Sequence, residues 1–123
     1  MIYGIGIDIV KIQRMKDAFE KWGNKFYEKI LTNDEMTYCF ERSDPYPSLA
    51  VRFAAKEGLI KAIGSEITVS MKDIEIMNNE KGRPSIHVKG KLEDFFQDRA
   101  IRHCHVSLSH EKEFAVACVV LEK

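Results

Sequence analysis

Residues 52–62, "RFAAKEGLIKA", have very little polar face to give water. Wound at helical pitch, they set Glu57 between Phe53 and Ile60 on one side and Ala54 on the other. A helix apolar nearly all round has to be covered over most of its circumference, so the remaining elements must pack around this one. Its carboxylate then needs an explanation, because a buried carboxylate is paired, protonated or bound to a metal. Lys61, one turn on, is the evident partner; on a helix surface such a pair is worth only about 0.3–0.5 kcal/mol. Ser48 is placed to cap this helix and Gly64 to end it.

The covering elements are legible on either side. Residues 2–10, "IYGIGIDIV", alternate as a strand, with Tyr3, Ile5, Ile7 and Ile9 on one face and Gly4, Gly6 and Asp8 on the other. Ile12, Met15, Phe19 and Trp22 then recur at helical spacing until Gly23. Residues 25–31 suit a short helix, and "TNDE" (Thr32 to Glu35) reads as a capping box opening another, to about Arg42. "DIEIM" (73–77) and "SIHV" (85–88) flank the turn-rich "NNEKGRP", and residues 91–100 are amphipathic. "HCHVSLSH" (103–110) and "FAVACVVL" (114–121) form a natural antiparallel pair. The order is that of one α+β domain over residues 1–123, a largely antiparallel sheet packed against helices.

Charge and cysteine usage narrow the function classes. Lys plus Arg number 19 and Asp plus Glu 19, a balance that argues against broad binding to nucleic acid or to a membrane. There is no charged-then-apolar leader and no apolar run of membrane-spanning length. Cys39, Cys104 and Cys118 are an odd set without motif spacing and read as reduced thiols, so a cytoplasmic setting is expected.

Four features carry chemistry. Asp8 ends a strand segment whose two glycines leave backbone bare, which suits a close approach by something else but also fits an ordinary solvent face. Two carboxylates from separate elements, Asp8 and Glu57, with Arg52, Lys56 and Lys61 nearby, resemble a site for a hard cation and phosphate. The "KGRP" turn, Lys81, Gly82, Arg83 and Pro84, offers N–H groups and cations to a phosphate, or is a solvated hairpin with incidental charge. His105, Ser107 and Ser109 share a strand face and His110 opens the following turn, an arrangement suited to lining a pocket. Their spacing fits no common zinc pattern, and no orienting acid for a Ser–His nucleophile can be named.

Taken in order, "GIGIDIV", "RFAAKEGLIKA", "KGRP" and "HVSLSH" resemble the short, bacterial holo-acyl-carrier-protein synthase family of 4′-phosphopantetheinyl transferases across essentially the whole chain. The resemblance implies transfer of 4′-phosphopantetheine from coenzyme A to a serine of apo-acyl carrier protein, for fatty acid biosynthesis, with adenosine 3′,5′-bisphosphate released. By it, Asp8 and Glu57 would hold Mg²⁺, or Mn²⁺ in its place, against the coenzyme A pyrophosphate. Lys61 would contact phosphate, where the charge of Arg52, read from the helix itself and not from the resemblance, would add to it. Lys81, Gly82, Arg83 and Pro84 would lie along the nucleotide, with His110 at the same pocket. Arg14 matches a basic position facing the acidic recognition helix of the carrier protein. The general base would be Glu57 acting through water, or water alone. The resemblance further implies trimers with active sites between subunits. Gly58 departs from it, standing where the family usually has alanine, at about 1 kcal/mol of helix propensity. Two rival readings use the same residues: a non-catalytic coenzyme A or nucleotide sensor, and a Mg²⁺-dependent phosphohydrolase.

Overall fold

The computed structural model describes all residues, Met1–Lys123. Strand β1 (Ile2–Lys11) leads into helices α1 (Ile12–Trp22), α2 (Asn24–Ile30), α3 (Asn33–Phe40) and α4 (Tyr46–Ile63). A 3-10 turn, Met71–Asp73, precedes β2 (Ile74–Asn78) and β3 (Pro84–Val88), then α5 (Gly90–Asp98), β4 (His103–His110) and β5 (Phe114–Glu122). The architecture is α+β as expected, but the strands make two antiparallel sheets: a three-stranded one in the order β1-β5-β4, and the β2-β3 hairpin. No helix is long and apolar enough to cross a membrane.

Helix α4 is the element the rest encloses. Eleven of its residues are buried, from Leu49 to Ile63. It begins at Tyr46 rather than at Ser48, which lies inside the helix. Pro47 supplies a fixed φ in the first turn, and the Asp44 carboxylate accepts the Tyr46 N–H at 3.2 Å, so the cap comes from two residues before the helix. Ala115, Ala117, Val119 and Leu121 of β5 face it, fully buried.

The glycines of β1 have a steric cause. A Cβ added at Gly4 would sit 1.9 Å from the Ala62 carbonyl oxygen, and one at Gly6 would sit 1.8 Å from that of Gly58. The Gly4-Gly6-Asp8 face is therefore pressed directly onto α4, not onto solvent. The alternate face carries Ile5, Ile7 and Ile9, each about 60 % exposed. In β5, Val116, Cys118 and Val120 pair with them and are half-buried. Strand β5 is thus the sheet's centre, and the uncovered apolar face centres on β1.

A buried ion pair locks the other side of α4. The Lys56 ammonium donates to Glu35 Oε1 at 2.6 Å, to the Ile30 carbonyl at 2.6 Å and to the Met71 carbonyl at 3.0 Å. Glu35 closes the expected capping box with Thr32. Its second oxygen also accepts the Ile76 N–H at 2.9 Å. One lysine thereby ties α4 to α2, α3 and the 3-10 turn, with every ammonium proton engaged. Thr32 in turn donates to Glu75 Oε2 at 2.6 Å, which holds the Glu75 carboxyl below its usual range, with the Lys89 charge acting in the same direction.

Two outcomes follow from this packing. Gly6→Ala forces backbone apart where no side chain can yield, so the urea unfolding midpoint should fall by the equivalent of about 2–3 kcal/mol. A carboxyl held low when folded stabilises the protein above its unfolded pKa and loses that contribution as pH falls through the carboxylate range. Glu75→Gln should therefore be less stable than wild type at pH 7, and urea titrations should show the gap closing below about pH 4.

Candidate functional site

Asp8 and Glu57 reach the same neighbourhood from different elements. Lys61 Nζ donates to Asp8 Oδ1 at 2.9 Å and to the Ile7 carbonyl at 3.0 Å, joining α4 to β1. The Asp8 side chain is 16 % exposed and that of Lys61 is 53 % exposed, so the group opens to solvent on the lysine side. Glu57 is half-buried rather than buried, because Phe53, Glu57, Ile60 and Lys61 share the one strip of α4 left incompletely covered. Burial raises its carboxyl above the usual range. The negative charge of Asp8 pushes the same way, and Lys61 opposes both. Two carboxylates are thus held close enough to feel each other, and one lysine, bonded to Asp8, acts on both.

A second group assembles at the other edge of the sheet. A cavity of about 290 Å³ is lined by Arg52, Gly82, Pro84 and His110, together with Tyr38, Arg42 and Asn78, and no carboxylate lines it. Arg52 is almost wholly buried; its NH2 donates to Asn78 Oδ1 at 2.6 Å. Asn78 Nδ2 donates onward to the Gly82 carbonyl at 3.1 Å, so one side chain couples α4 to the hairpin loop. Asp8 and Leu108, the latter at the cavity, both pair with Ala117 of β5. Two strand spacings, about 10 Å, therefore separate the two groups within one chain.

Several expected participants stand elsewhere. Lys56 cannot serve a phosphate, since its charge is spent inside the fold on Glu35 and two carbonyls. The loop amides are equally occupied: Lys81 and Arg83 N–H both donate to Asn79 Oδ1 at 2.9 Å, and Gly82 N–H to the Asn79 carbonyl. Only the exposed side chains of Lys81 and Arg83 remain to meet a ligand. His105, Ser107 and Ser109 lie on the outer sheet face, away from α4; His105 pairs with Glu122 at 3.0 Å. Arg14 is exposed on α1. Tyr38, Arg42 and Asn78 were not singled out from the sequence. The Tyr38–Arg42 interval of four, running just past the end of α3, was the available signal.

The family model described as "4′-phosphopantetheinyl transferase superfamily" matches residues 4–119. The chain belongs to that superfamily. Among curated relatives, the holo-[acyl-carrier-protein] synthase of Halothermothrix orenii is 44 % identical, covering 100 % of this chain and 99 % of its own. The crystal structure of holo-[acyl-carrier-protein] synthase from Neisseria meningitidis is 36 % identical and superposes with a TM-score of 0.92, covering 100 % of both chains. The Helicobacter pylori synthase in complex with coenzyme A is 34 % identical with a TM-score of 0.84, covering 96 % of this chain and 99 % of that one. Within the superfamily match fall Asp8, Glu57, Lys61, the cavity residues and Arg14.

Proposed function

We propose that this superfamily member transfers the 4′-phosphopantetheine arm of coenzyme A to a serine of apo-acyl carrier protein and releases adenosine 3′,5′-bisphosphate. The observation that carries the reading is the pairing of two complementary groups on one fold. A carboxylate pair with a lysine suits a pyrophosphate, and a cationic cavity free of carboxylates suits the rest of a nucleotide.

Asp8 and Glu57 would hold a divalent cation, Mg²⁺ or Mn²⁺. Two oxygen donors with no histidine or cysteine among them leave most of an octahedral shell to water and phosphate oxygens. The upward push of Asp8 on the Glu57 carboxyl marks a place short of positive charge. When bound, such an ion neutralises negative charge on the pyrophosphate oxygens. Lys61, half-exposed and already at Asp8, is placed to donate to the same oxygens. Arg52, Gly82, Pro84 and His110, with the Lys81 and Arg83 side chains at the rim, seat the adenosine end. The carrier serine then attacks in line on the phosphorus bearing pantetheine, and the bond to the departing adenosine bisphosphate breaks. The hydroxyl proton would pass to water, either alone or with Glu57 acting through it.

We place the complete site between copies of the chain, in a trimer. The Ile5-Ile7-Ile9 face with Val116 and Val120 is an uncovered apolar patch of the kind that marks an interface. The two half-sites lie on opposite edges of one sheet, so a neighbouring copy can bring its cavity to these carboxylates. The three free cysteines suit a reducing, cytoplasmic setting.

Incubation with coenzyme A, Mg²⁺ and apo-carrier protein should raise the carrier's intact mass by one phosphopantetheine. Tight coenzyme A binding without that shift would instead favour a sensor, and phosphate release without carrier a hydrolase. Asp8→Ala and Glu57→Ala should each lower turnover by ~10²-fold or more, with far-UV circular dichroism unchanged. Arg14→Glu should raise KM for the carrier about tenfold while leaving coenzyme A affinity within twofold; equal loss of both would misplace the docking face.

A further inference from the structure

Lys56 and Glu57 are consecutive on α4, so their side chains leave the helix about 100° apart. Glu57 stands on the partly covered strip, whereas Lys56 is wholly buried. The Lys56 ammonium meets Glu35 Oε1 at 2.6 Å and the carbonyls of Ile30 and Met71 at 2.6 and 3.0 Å. These acceptors come from α3, α2 and the 3-10 turn, three stretches that converge on one nitrogen. Glu35 is itself held, its two oxygens receiving the N–H groups of Thr32 and Ile76 at 2.9 Å each. An ammonium has three protons to donate, so three fixed acceptors leave it one orientation. None of this enters the charge balance of Glu57, which burial and Asp8 push one way and Lys61 the other.

Helix α4 therefore has a stop on each side. Gly58 lies two residues beyond Lys56, on the opposite side of the helix, and its carbonyl occupies the space a Cβ at Gly6 would need. That contact sets how near α4 lies to β1. The ammonium sets how far the helix is turned about its own axis. The turn matters because the lever is long: a carboxylate about 6 Å from the axis travels about 2 Å when the helix rolls by about 20°. Oxygens around a small divalent ion stand at about 2.0–2.1 Å and tolerate about 0.2 Å of error. We propose that Lys56 is a positioning residue, whose anchored ammonium fixes the angle at which α4 presents Glu57 to Asp8 and so sets the affinity of the pair for its divalent ion. This rests on Asp8 and Glu57 being the ligands of that ion.

The test is direct binding of Mn²⁺, followed as loss of the free-ion electron paramagnetic resonance signal. Coenzyme A is present and carrier protein is not, so no transfer occurs, and a titration without protein gives the background. Lys56→Met alone strands the Glu35 charge. The decisive variant is Glu35→Gln with Lys56→Met, which removes both charges and leaves an amide oxygen to cap α3. It should keep a cooperative urea transition and bind Mn²⁺ about tenfold more weakly. Lys56→Gln, which keeps a donor for Glu35 at a shorter reach, should fall between. Leu92→Ala, a core truncation on α5, lowers stability away from this anchor and should leave Mn²⁺ affinity within about twofold. Unchanged affinity in both Lys56 variants overturns the proposal and leaves the metal reading standing. So does an equal loss in Leu92→Ala, which would tie affinity to stability rather than to angle. Wild type without binding above background, or binding that survives Asp8→Ala, overturns the metal reading and the proposal with it.

Discussion

The structure depends on one backbone-to-backbone approach, that of α4 onto β1. Only hydrogen fits at Gly4 and Gly6, where carbonyls of Ala62 and Gly58 come within 2 Å of any added Cβ. That approach gives Lys61 its two acceptors on β1, the Ile7 carbonyl and Asp8. It also sets how near the Glu57 carboxylate comes to that of Asp8. Since peptide atoms fix the spacing, side-chain rotamers have little left to decide. Gly58 belongs to the same seam: a Cβ there would meet Val119 at 3.3 Å and the Gly6 oxygen at 3.5 Å. The absent methyl thus matches a tight joint between helix, strand and β5.

The second anchor acts from the opposite side of the helix. Lys56 stands one residue from Glu57 yet faces inward, to Glu35 on α3. Removing one partner of such a pair usually costs about 3–5 kcal/mol, because the other charge is stranded. With α4 clamped by glycines on one side and by this lysine on the other, its rotation about its own axis is defined. The carboxylate strip therefore points one way only.

Much of this was readable beforehand, for physical reasons. The capping box at Thr32, the stripe from Ile12 to Phe19 and the alternation in β4 and β5 are local patterns, and local patterns survive folding. Glu57 stood out as a carboxylate in an apolar sector and Asp8 as the acid on a strand face otherwise bare, and the fold brings the Asp8 charge to bear on Glu57. What failed was directional. The alternation in β1 named two faces correctly but not which one was covered, since hydrophobicity favours the isoleucine face while the steric constraint favours the glycine face. Lys56 was read as a phosphate ligand because nothing local reveals Glu35, 21 residues away, as its partner. The contact of the Arg52 guanidinium with the Tyr38 ring joins α4 to α3 across a proline-containing turn, beyond the reach of spacing rules. Asn79 silenced the loop amides through its side-chain and main-chain oxygens, a detail periodicity does not encode.

That asparagine has a consequence for recognition. Its carboxamide and main chain gather Lys81, Gly82 and Arg83 into a closed knot, with Gly82 at φ 83° completing the bend. A loose basic loop surrenders its freedom when a guest arrives, and affinity suffers by that entropy. Here the surrender has already happened during folding, so the two cationic tips swing from a stiff mount and only their own rotamers remain to be quieted.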